Sequence, residues 1–206
     1  MKRSLLAGLA VVVAATVAAP AIASATPVHK PAPTLAQILL SDSTRDDRNG
    51  FDRNPDDFDI VTQALLLFPD LVQAASDPKS NLTVFLPTDY AFRALVKGLT
   101  GKVVFKEADV FAAVAGLGAA TVKAVLTYHI VPGRIDYATA VKSNGAQLKT
   151  LNGATITVHV SGKRFKWVRL QDKDPDLRDP RVVVANIRAS NGIAHAINRV
   201  LLPINV

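Results

Sequence analysis

The sequence predicts an α+β fold, because the spacing of its apolar residues changes along the chain. Up to about residue 131, apolar side chains recur every three to four residues, as on one face of a helix. From Ala154 onward they alternate with polar residues, which is typical of half-buried strands. Helices that come first and hairpins that follow indicate one domain with an antiparallel sheet.

The N-terminus has the organisation of a secretory signal peptide. Lys2 and Arg3 are positive, residues 5–19 are apolar, and Ala23-Ser24-Ala25 supplies the small residues of a cleavage site. The apolar run is shorter than the roughly 20 residues that a membrane-spanning helix needs. We therefore predict a signal peptide over residues 1–25, secretion, and no stable membrane insertion after cleavage, which is expected after Ala25 or alternatively Ala23.

The composition favours a basic extracellular protein without disulfides. The chain has no cysteine and a formal net charge of +7. Removing Lys2 and Arg3 leaves a formal +5, and a basic surface is suited to anionic polymers because summed charge steers encounters. A merely soluble surface remains the alternative. No recognised nucleic-acid module appears, so we expect no nucleic-acid partner.

Residues 26–56 are predicted to be a flexible lead-in, first proline-rich and then acidic, before a domain at 57–206. Residues 35–40 are expected to form one helical turn. The acidic stretch at 41–59 suggests calcium, but counting back from Gly50 places Arg45 where a calcium loop needs its first aspartate. The prediction is therefore a solvated loop that ends in a helix cap at Asp57 or Asp59.

Helical spacing and cap residues predict a series of helices, with one strand among them. The helices cover residues 60–68, 70–75, 89–97, 109–115 and 121–131, and the strand covers residues 82–86. Pro69 fits the first position of the second helix, and Thr88 is the predicted cap of the third. The apolar stretch from Val110 to Val122 is interpreted as buried helix.

The helix at 121–131 carries a histidine on its apolar face. Val122, Val125, Leu126, His129 and Ile130 share that face. The spacing predicts that His129 points into the core and that Tyr128 sits to the side, partly exposed. Pro132-Gly133 ends the helix.

Alternation and turn residues predict two hairpins in the C-terminal part. Residues 154–160 form a strand that follows an Asn152-Gly153 turn. A second hairpin joins residues 181–189 to 193–202, with Asn191-Gly192 near its turn. Strict alternation is expected to place Val182 and Val184 on one face and Val183 on the other.

Three segments in order resemble the fasciclin I-like domain over roughly residues 57–203. They are Thr83-Val84-Phe85-Leu86-Pro87-Thr88-Asp89 followed by Ala91-Phe92, then Leu126-Thr127-Tyr128-His129-Ile130-Val131-Pro132-Gly133, then Ala189-Ser190-Asn191-Gly192-Ile193 continuing to Pro203. The resemblance implies a wedge of antiparallel or mixed β-sheets with several helices packed on it. It also implies cell adhesion or attachment to matrix and surface polymers.

The motif residues are interpreted as structural. They are Thr83, Pro87, Thr88, Asp89, Tyr128, His129, Asn191 and Gly192. In animal members the tyrosine–histidine pair is linked to receptor binding, but His129 is expected to be buried and no Arg-Gly-Asp tripeptide occurs. Our hypothesis is that His129 packs near the Thr83–Asp89 segment and braces the wedge.

The segment from Lys163 to Arg181 departs from the family, which generally has a short hairpin turn there. It holds the only tryptophan of the chain among many cations. An aromatic beside arginine is favoured at interface hot spots. The candidate contact residues are Lys163, Arg164, Lys166, Trp167 and Arg169; the alternative is a solvated loop.

No motif in the sequence predicts catalysis. There is no Gly-x-Ser-x-Gly elbow, no cysteine, no phosphate-binding glycine loop and no paired-histidine zinc motif. The spacing of His129, His159 and His195 gives no support to a metal site. We expect no enzyme, no cofactor and no metal, and predict a secreted module that binds an extracellular or cell-wall polymer or protein. The alternative is a carrier of a small apolar ligand, such as a carotenoid or lipid, which some fasciclin-like proteins hold.

Overall fold

The computed structural model describes residues 32–43 and 50–205, apart from the side chains of residues 42 and 43. The predicted signal peptide, the start of the lead-in and residues 44–49 lie outside the described residues.

Helices dominate the first part of the described chain and strands the second. The helices are α1 (Leu35–Ser43), α2 (Asp59–Leu66), α3 (Pro69–Ser76), α4 (Asp89–Thr100), α5 (Glu107–Ala115), α6 (Ala119–Tyr128) and α7 (Tyr137–Ala140). The strands are β1 (Leu82–Pro87), β2 (Ile130–Pro132), β3 (Gln147–Lys149), β4 (Thr155–Ser161), β5 (Trp167–Gln171), β6 (Val182–Ala189) and β7 (Gly192–Ile197). The predicted α+β class is confirmed.

Two sheets organise the domain. The first has the order β2-β1-β7-β6; β1 runs antiparallel to β2 but parallel to β7, so this sheet is mixed. The second is the antiparallel sheet β3-β4-β5. The domain has two hydrophobic cores, a helical core and a core between the two sheets. Successive residues of β1 contribute to different cores because their side chains point to opposite faces of the sheet. Leu86 packs in the helical core, and Phe85 packs with residues of the second sheet such as Ile156.

The first helix lies within the segment predicted as a lead-in. Leu35, Ala36 and Leu39 are buried, and Leu35 and Leu39 belong to the helical core. The Leu35 backbone N–H also donates to Asn191 Oδ1 at 2.9 Å. The part of α1 from Leu35 to Leu39 therefore packs on the domain that follows.

Two helix predictions near residue 120 are wrong. The stretch Val110–Val122 is not one helix, because α5 and α6 are separated at Gly116–Gly118, where Gly118 has φ 91°. The helix predicted to reach Val131 ends at Tyr128, and Ile130 instead pairs with Val84 as part of β2. Tertiary strand pairing thus overrides the helical spacing of residues 129–131.

No single helix of the described residues is both long and apolar enough to cross a membrane. The pair α5 and α6 passes that test by combined length and composition, but its two members are bent by 105° relative to each other.

The predicted helix caps are replaced by a tertiary contact. Phe58, rather than Asp57 or Asp59, is at the N-cap of α2, and it forms no side-chain cap bond. The Ile60 N–H instead donates to Asp89 Oδ1 at 3.0 Å. Thr88 is at the N-cap of α4 as predicted, but its side chain makes no capping hydrogen bond.

Both predicted hairpins form, although β7 ends at Ile197 instead of Leu202. The Asn152-Gly153 turn joins β3 to β4, and Gly153 has φ 93°. In β6, register shifts interrupt the pairing with β7, and Asn186 has φ 61°. Val183 and Val184 are consequently both exposed, which the predicted strict alternation does not allow.

Candidate functional site

The predicted contact loop is a β-hairpin rather than an open loop. β4 pairs antiparallel with β5, and the register brings Ser161 opposite Trp167. Residues 162–166 form the turn, so Trp167 and Arg169 belong to a strand and only Lys163, Arg164 and Lys166 lie in the turn. The β5 strand was missed because its apolar alternation is short and is interrupted by charged residues.

Gly162 is required by the geometry of this turn. Its φ is 91°, and a Cβ at this position would lie 2.0 Å from the Phe165 backbone oxygen. Tyr137 supports the other side of the turn, because its hydroxyl donates to the Lys166 backbone oxygen at 2.7 Å. The turn is therefore held by both local and tertiary contacts.

Two aromatic side chains project from the end of this hairpin. Phe165 is 70% exposed and Trp167 is 55% exposed. The Arg164 guanidinium lies 5.6 Å from the centre of the Phe165 ring, which is cation–π range. Lys163 and Lys166 are exposed beside them. We call residues 162–167 the hairpin tip.

Arg169 lies farther down β5, next to a polar cleft. Its guanidinium is 3.5 Å from Asp179, and it lines a cleft of about 720 Å³. The other charged side chains of this cleft are Asp172, Lys173, Asp174, Arg178, Asp179, Arg181 and Arg199. Four of the five predicted contact residues are thus at the hairpin tip, and the fifth belongs to this neighbouring cleft.

Tyr128 is completely buried, so the prediction of partial exposure is wrong. Its hydroxyl donates to the Thr155 backbone oxygen at 2.8 Å. Burial raises the pKa of this hydroxyl above its ordinary value. Tyr128 packs with Phe85 and Ile156 in the core between the sheets.

His129 is buried, and both nitrogen atoms of its ring form hydrogen bonds. Nδ1–H donates to the Val125 backbone oxygen at 2.7 Å, and Nε2 accepts from the Leu201 N–H at 2.9 Å. Its backbone oxygen accepts from Phe85 N in β1. Burial lowers the pKa of the imidazole to about 4, so the ring is neutral at pH 7.

The remaining motif residues make internal contacts. Thr83 Oγ1 donates to the Gly133 oxygen at 2.7 Å and accepts from Ile135 N at 2.8 Å. Asn191 Nδ2 donates to the oxygens of Ala75 and Asp77, at 2.8 and 3.0 Å. A Cβ on Gly192 would lie 2.6 Å from the Leu82 backbone oxygen, and Pro87 and Thr88 are also buried.

The three histidines are not brought together as metal ligands. His159 Nε2 pairs with Gln171 Oε1 at 2.7 Å, and His195 Nε2–H donates to the Ile135 oxygen at 2.9 Å. Among residues 32–43 and 50–205, no group of side chains placed to share a metal ion includes a histidine.

Four acidic side chains that sequence reasoning did not connect lie buried together. Asp57, Asp59, Asp89 and Glu107, which we call the acidic cluster, are each at most 8% exposed. Arg93 donates to Glu107 Oε1 at 2.6 Å. Burial, opposed by the hydrogen bond from Ile60 and reinforced by the charges of Asp57 and Glu107, raises the pKa of Asp89 to about 9.

Carboxylate oxygens of the acidic cluster are close enough to share a cation. One oxygen from each of Asp59, Asp89 and Glu107 lies within 4.8 Å of the others, and the same holds for Asp52, Asp57 and Asp59. The alternation Asp52-x-Asn54-x-Asp56 does not identify these residues, because neither Asn54 nor Asp56 belongs to either group.

An apolar pocket of about 470 Å³ lies between α4, α5, α6 and the C-terminal segment. Its lining is almost entirely apolar and includes Phe92, Leu95 and Val122. Leu117 and Ile204, which are exposed, also line it. A pocket of this size and polarity is suited to a small apolar molecule.

Two packed sheets with helices on the outer face of the mixed one define an α+β fold. A family model described as the Fasciclin domain matches residues 57–203, and the chain belongs to this family. The chain is 31% identical over 134 residues to "Protein sll1483" of Synechocystis sp., which covers 65% of this chain and 61% of that protein.

A solved structure shows the same fold. It is that of a FAS1 domain pair from the insect cell adhesion molecule Fasciclin I, with a TM-score of 0.58 and 16% identity over 84% of this chain. The chain spans about half the length of that pair and about three fifths of the Synechocystis protein. Fasciclin domains are in general adhesion-related or surface-binding modules, typically extracellular and not enzymatic.

Proposed function

We propose that this protein is a secreted adhesion module that attaches to an anionic extracellular or cell-envelope macromolecule through the hairpin tip. The observation that carries the proposal is the joint exposure of Phe165 and Trp167 beside three cations. A few residues carry most of the binding energy at protein interfaces, and Trp, Tyr and Arg are enriched among them. Their combination on one supported turn gives the molecule a compact contact surface.

The charges around the hairpin tip favour an anionic partner. Lys163, Arg164 and Lys166 make no ion pair with any described residue. The chain as a whole carries a formal charge of +7. Exposed charges attract a partner over about 10 Å at moderate ionic strength, and added salt screens this attraction. Binding should therefore weaken as salt rises.

The proposal is tested by retention of the purified protein on the cell envelope of the producing organism, at low and high salt. We expect saturable retention that falls with salt. Replacing Lys163, Arg164 and Lys166 by serine should abolish most of it. The matched control replaces three other exposed lysines, Lys97, Lys102 and Lys106, and thus removes the same charge from a different surface.

Two outcomes would contradict the proposal. One is the absence of retention by the unaltered protein at low salt. The other is an equal loss of retention in both triple variants, which would mean that net charge matters and the hairpin tip does not.

A second candidate function, carriage of a small apolar ligand, is favoured by the pocket of about 470 Å³. Such a ligand should bind independently of salt and be extractable by organic solvent. The test is titration of the purified protein with a fluorescent fatty acid, with Ala120→Trp as a variant that fills the pocket entrance. Absence of binding, or equal binding to the variant, would remove this candidate.

A further inference from the structure

The second sheet has one face in the core and one face toward solvent. Val158 of β4 and Leu170 of β5 are buried in the core between the sheets. Successive side chains of a strand point to opposite faces, so the residues between the buried ones form the other face, which we call the open face. On β5 and at the paired positions of β4 it carries Trp167, Arg169 and Gln171 opposite Ser161, His159 and Thr157.

The open face is polar and carries no carboxylate. Among the outward residues of β3, β4 and β5, all of which the structure describes, none is Asp or Glu and Trp167 is the only large apolar side chain. Lys149 on β3 and Arg169 on β5 supply positive charge, and Lys173 Nζ reaches this face at Thr155 Oγ1, 3.4 Å away. The centre of a protein interface is more apolar than this. The open face is therefore better suited to a polar, negatively charged partner.

One pair of side chains on the open face is fixed in orientation. His159 Nε2–H donates to Gln171 Oε1 at 2.7 Å, so the Gln171 amide nitrogen is left to donate outward. Amide, imidazole and hydroxyl groups lie next to each other on β4 and β5. Sugar hydroxyl groups both donate and accept hydrogen bonds, so they can pair with each of these groups.

Trp167 gives the open face one flat apolar surface. Its side chain is 55% exposed at the end of β5, where the hairpin tip begins. An indole combines a large apolar ring with an N–H donor, which matches a sugar ring that has C–H groups on its face and hydroxyl groups at its edge. Trp167 and Gln171 are four residues apart on β5, or about 14 Å. This row is long enough for more than one sugar unit.

The open face continues into the polar cleft of about 720 Å³. Arg169, Gln171 and Lys173 border both. Arg178 and Arg181 also line the cleft; they are exposed and form no ion pair with any described residue. A guanidinium can bind a carboxylate through two parallel hydrogen bonds. The cleft can therefore hold acidic side groups of a polymer that lies on the open face.

The acidic side chains of the cleft do not cancel its cations. Asp172 Oδ1 and Oδ2 accept from the backbone N–H groups of Asp174 and Leu202, at 3.1 and 2.8 Å. Asp174 in turn accepts from the backbone of the next turn. Asp179 lies 3.5 Å from the Arg169 guanidinium. Five basic and three acidic side chains line the cleft, so its lining has a net positive charge.

We propose that the open face and the adjoining cleft bind an acidic polysaccharide. One sugar ring stacks on Trp167, further rings follow β5, and carboxylate groups of the polymer meet Arg169, Arg178 and Arg181. The inference rests on the proposed function and names the chemical class of its anionic macromolecule. A nucleic acid or polyphosphate is held mainly by many contacts from cations to phosphate. The open face instead places amide, imidazole and hydroxyl groups between its cations.

The test uses the fluorescence of Trp167, which is the only tryptophan of the chain and therefore reports from the open face. The purified protein is titrated with polygalacturonate and with hyaluronate. Dextran, which has sugar rings without charge, and poly-L-glutamate, which has carboxylates without sugar rings, are the matched polymers. At least one acidic polysaccharide should shift the emission to shorter wavelength, protect Trp167 from acrylamide quenching, and bind at least about 10-fold more tightly than either matched polymer.

Matched variants locate the site. Arg169→Gln and Gln171→Ala should each weaken the binding of the acidic polysaccharide several-fold. Arg188→Gln removes an exposed arginine from β6 and should bind as the unaltered protein does. An affinity that is unchanged in both open-face variants, or reduced equally in Arg188→Gln, would overturn the proposal.

Two further results would also overturn it: binding of neither acidic polysaccharide, or equal binding of poly-L-glutamate. If the protein is nevertheless retained on the cell envelope, the proposed function stands and only its assignment to a polysaccharide fails. Binding of an acidic polysaccharide in solution without retention on the envelope would have the opposite meaning.

Discussion

His129 Nε2 accepts a hydrogen bond from the Leu201 backbone N–H, while its Nδ1–H donates to the Val125 backbone oxygen. The ring thus connects the last turn of α6 to the segment that follows β7. Since the His129 backbone oxygen also accepts from Phe85 N, the residue touches β1 as well. We infer that His129 braces the junction of helix, sheet and C-terminal segment.

The first prediction concerns the pH dependence of stability. The folded pKa of His129 is about 4, below its ordinary value of 6.5. Between these values the unfolded chain binds a proton that the folded chain does not, so acidification destabilises the fold. The His129 contribution should be fully present above pH 6.5. On the order of 3 kcal/mol should be lost as the pH falls to 4, measured by urea unfolding.

The control for this prediction is His129→Phe, which cannot titrate. The variant should lose about 2–4 kcal/mol at pH 7, because the Leu201 N–H loses its partner and the Val125 oxygen keeps only the bond from the His129 backbone N–H. The difference in free energy of unfolding between the two proteins should shrink as the pH falls from 6.5 to 4. Other groups cancel in that difference, including Asp172, whose raised pKa of about 6 acts in the opposite direction. A pH-independent difference, or a variant as stable as the unaltered protein, would contradict the inferred role.

The second prediction concerns Asn191. Its buried side chain forms three hydrogen bonds, to Leu35 N and to the oxygens of Ala75 and Asp77. Asn191→Ala should therefore cost about 2–4 kcal/mol of unfolding free energy. Asn152→Ala removes an exposed asparagine with two hydrogen bonds and should cost less than about 1 kcal/mol. Equal losses in chemical denaturation would show that Asn191 does not join these elements.

The third prediction separates the shape of the hairpin tip from its chemistry. Gly162 and Gly153 have nearly equal φ values, 91° and 93°. An added Cβ at Gly162 would overlap the Phe165 backbone oxygen, whereas a Cβ at Gly153 would have no atom within 4 Å. Both alanine variants should lose about 1 kcal/mol from backbone strain, and Gly162→Ala should lose more because its Cβ would overlap the Phe165 oxygen. Only Gly162→Ala should weaken retention on the cell envelope, because only there must the turn rearrange. Equal retention of the two variants would mean that turn geometry is irrelevant to binding.

The sequence was sufficient to predict the class of the fold and most of its elements. Periodicity identified the strands that contain Val84 and Val158, and the Asn152-Gly153 pair identified a hairpin. These are local signals, because side-chain spacing and turn conformation depend on neighbouring residues. The parallel pairing of β1 with β7 joins residues more than 100 positions apart and was not predictable from such signals.

The errors share one physical cause, the dominance of tertiary contacts over local preference. Ile130 has helical spacing but pairs with Val84 in a sheet. Asp57 or Asp59 was expected to cap α2, yet the Ile60 N–H of that helix donates to Asp89 at the start of α4. The acidic cluster was missed for the same reason, since Glu107 reaches Asp59 only in the folded chain.

The central claim is that the hairpin tip is the contact surface. The most direct test compares how strongly Trp167→Ala and Phe105→Ala are retained on the cell envelope of the producing organism. Phe105, which is 74% exposed in a different loop, is the matched control for an exposed aromatic. Both variants should melt within about 2 °C of the unaltered protein, because exposed side chains contribute little to stability. We expect Trp167→Ala to lose at least about 10-fold in affinity, as at an interface hot spot, and Phe105→Ala to bind normally. Undiminished binding by Trp167→Ala, or an equal loss in Phe105→Ala, would contradict the claim.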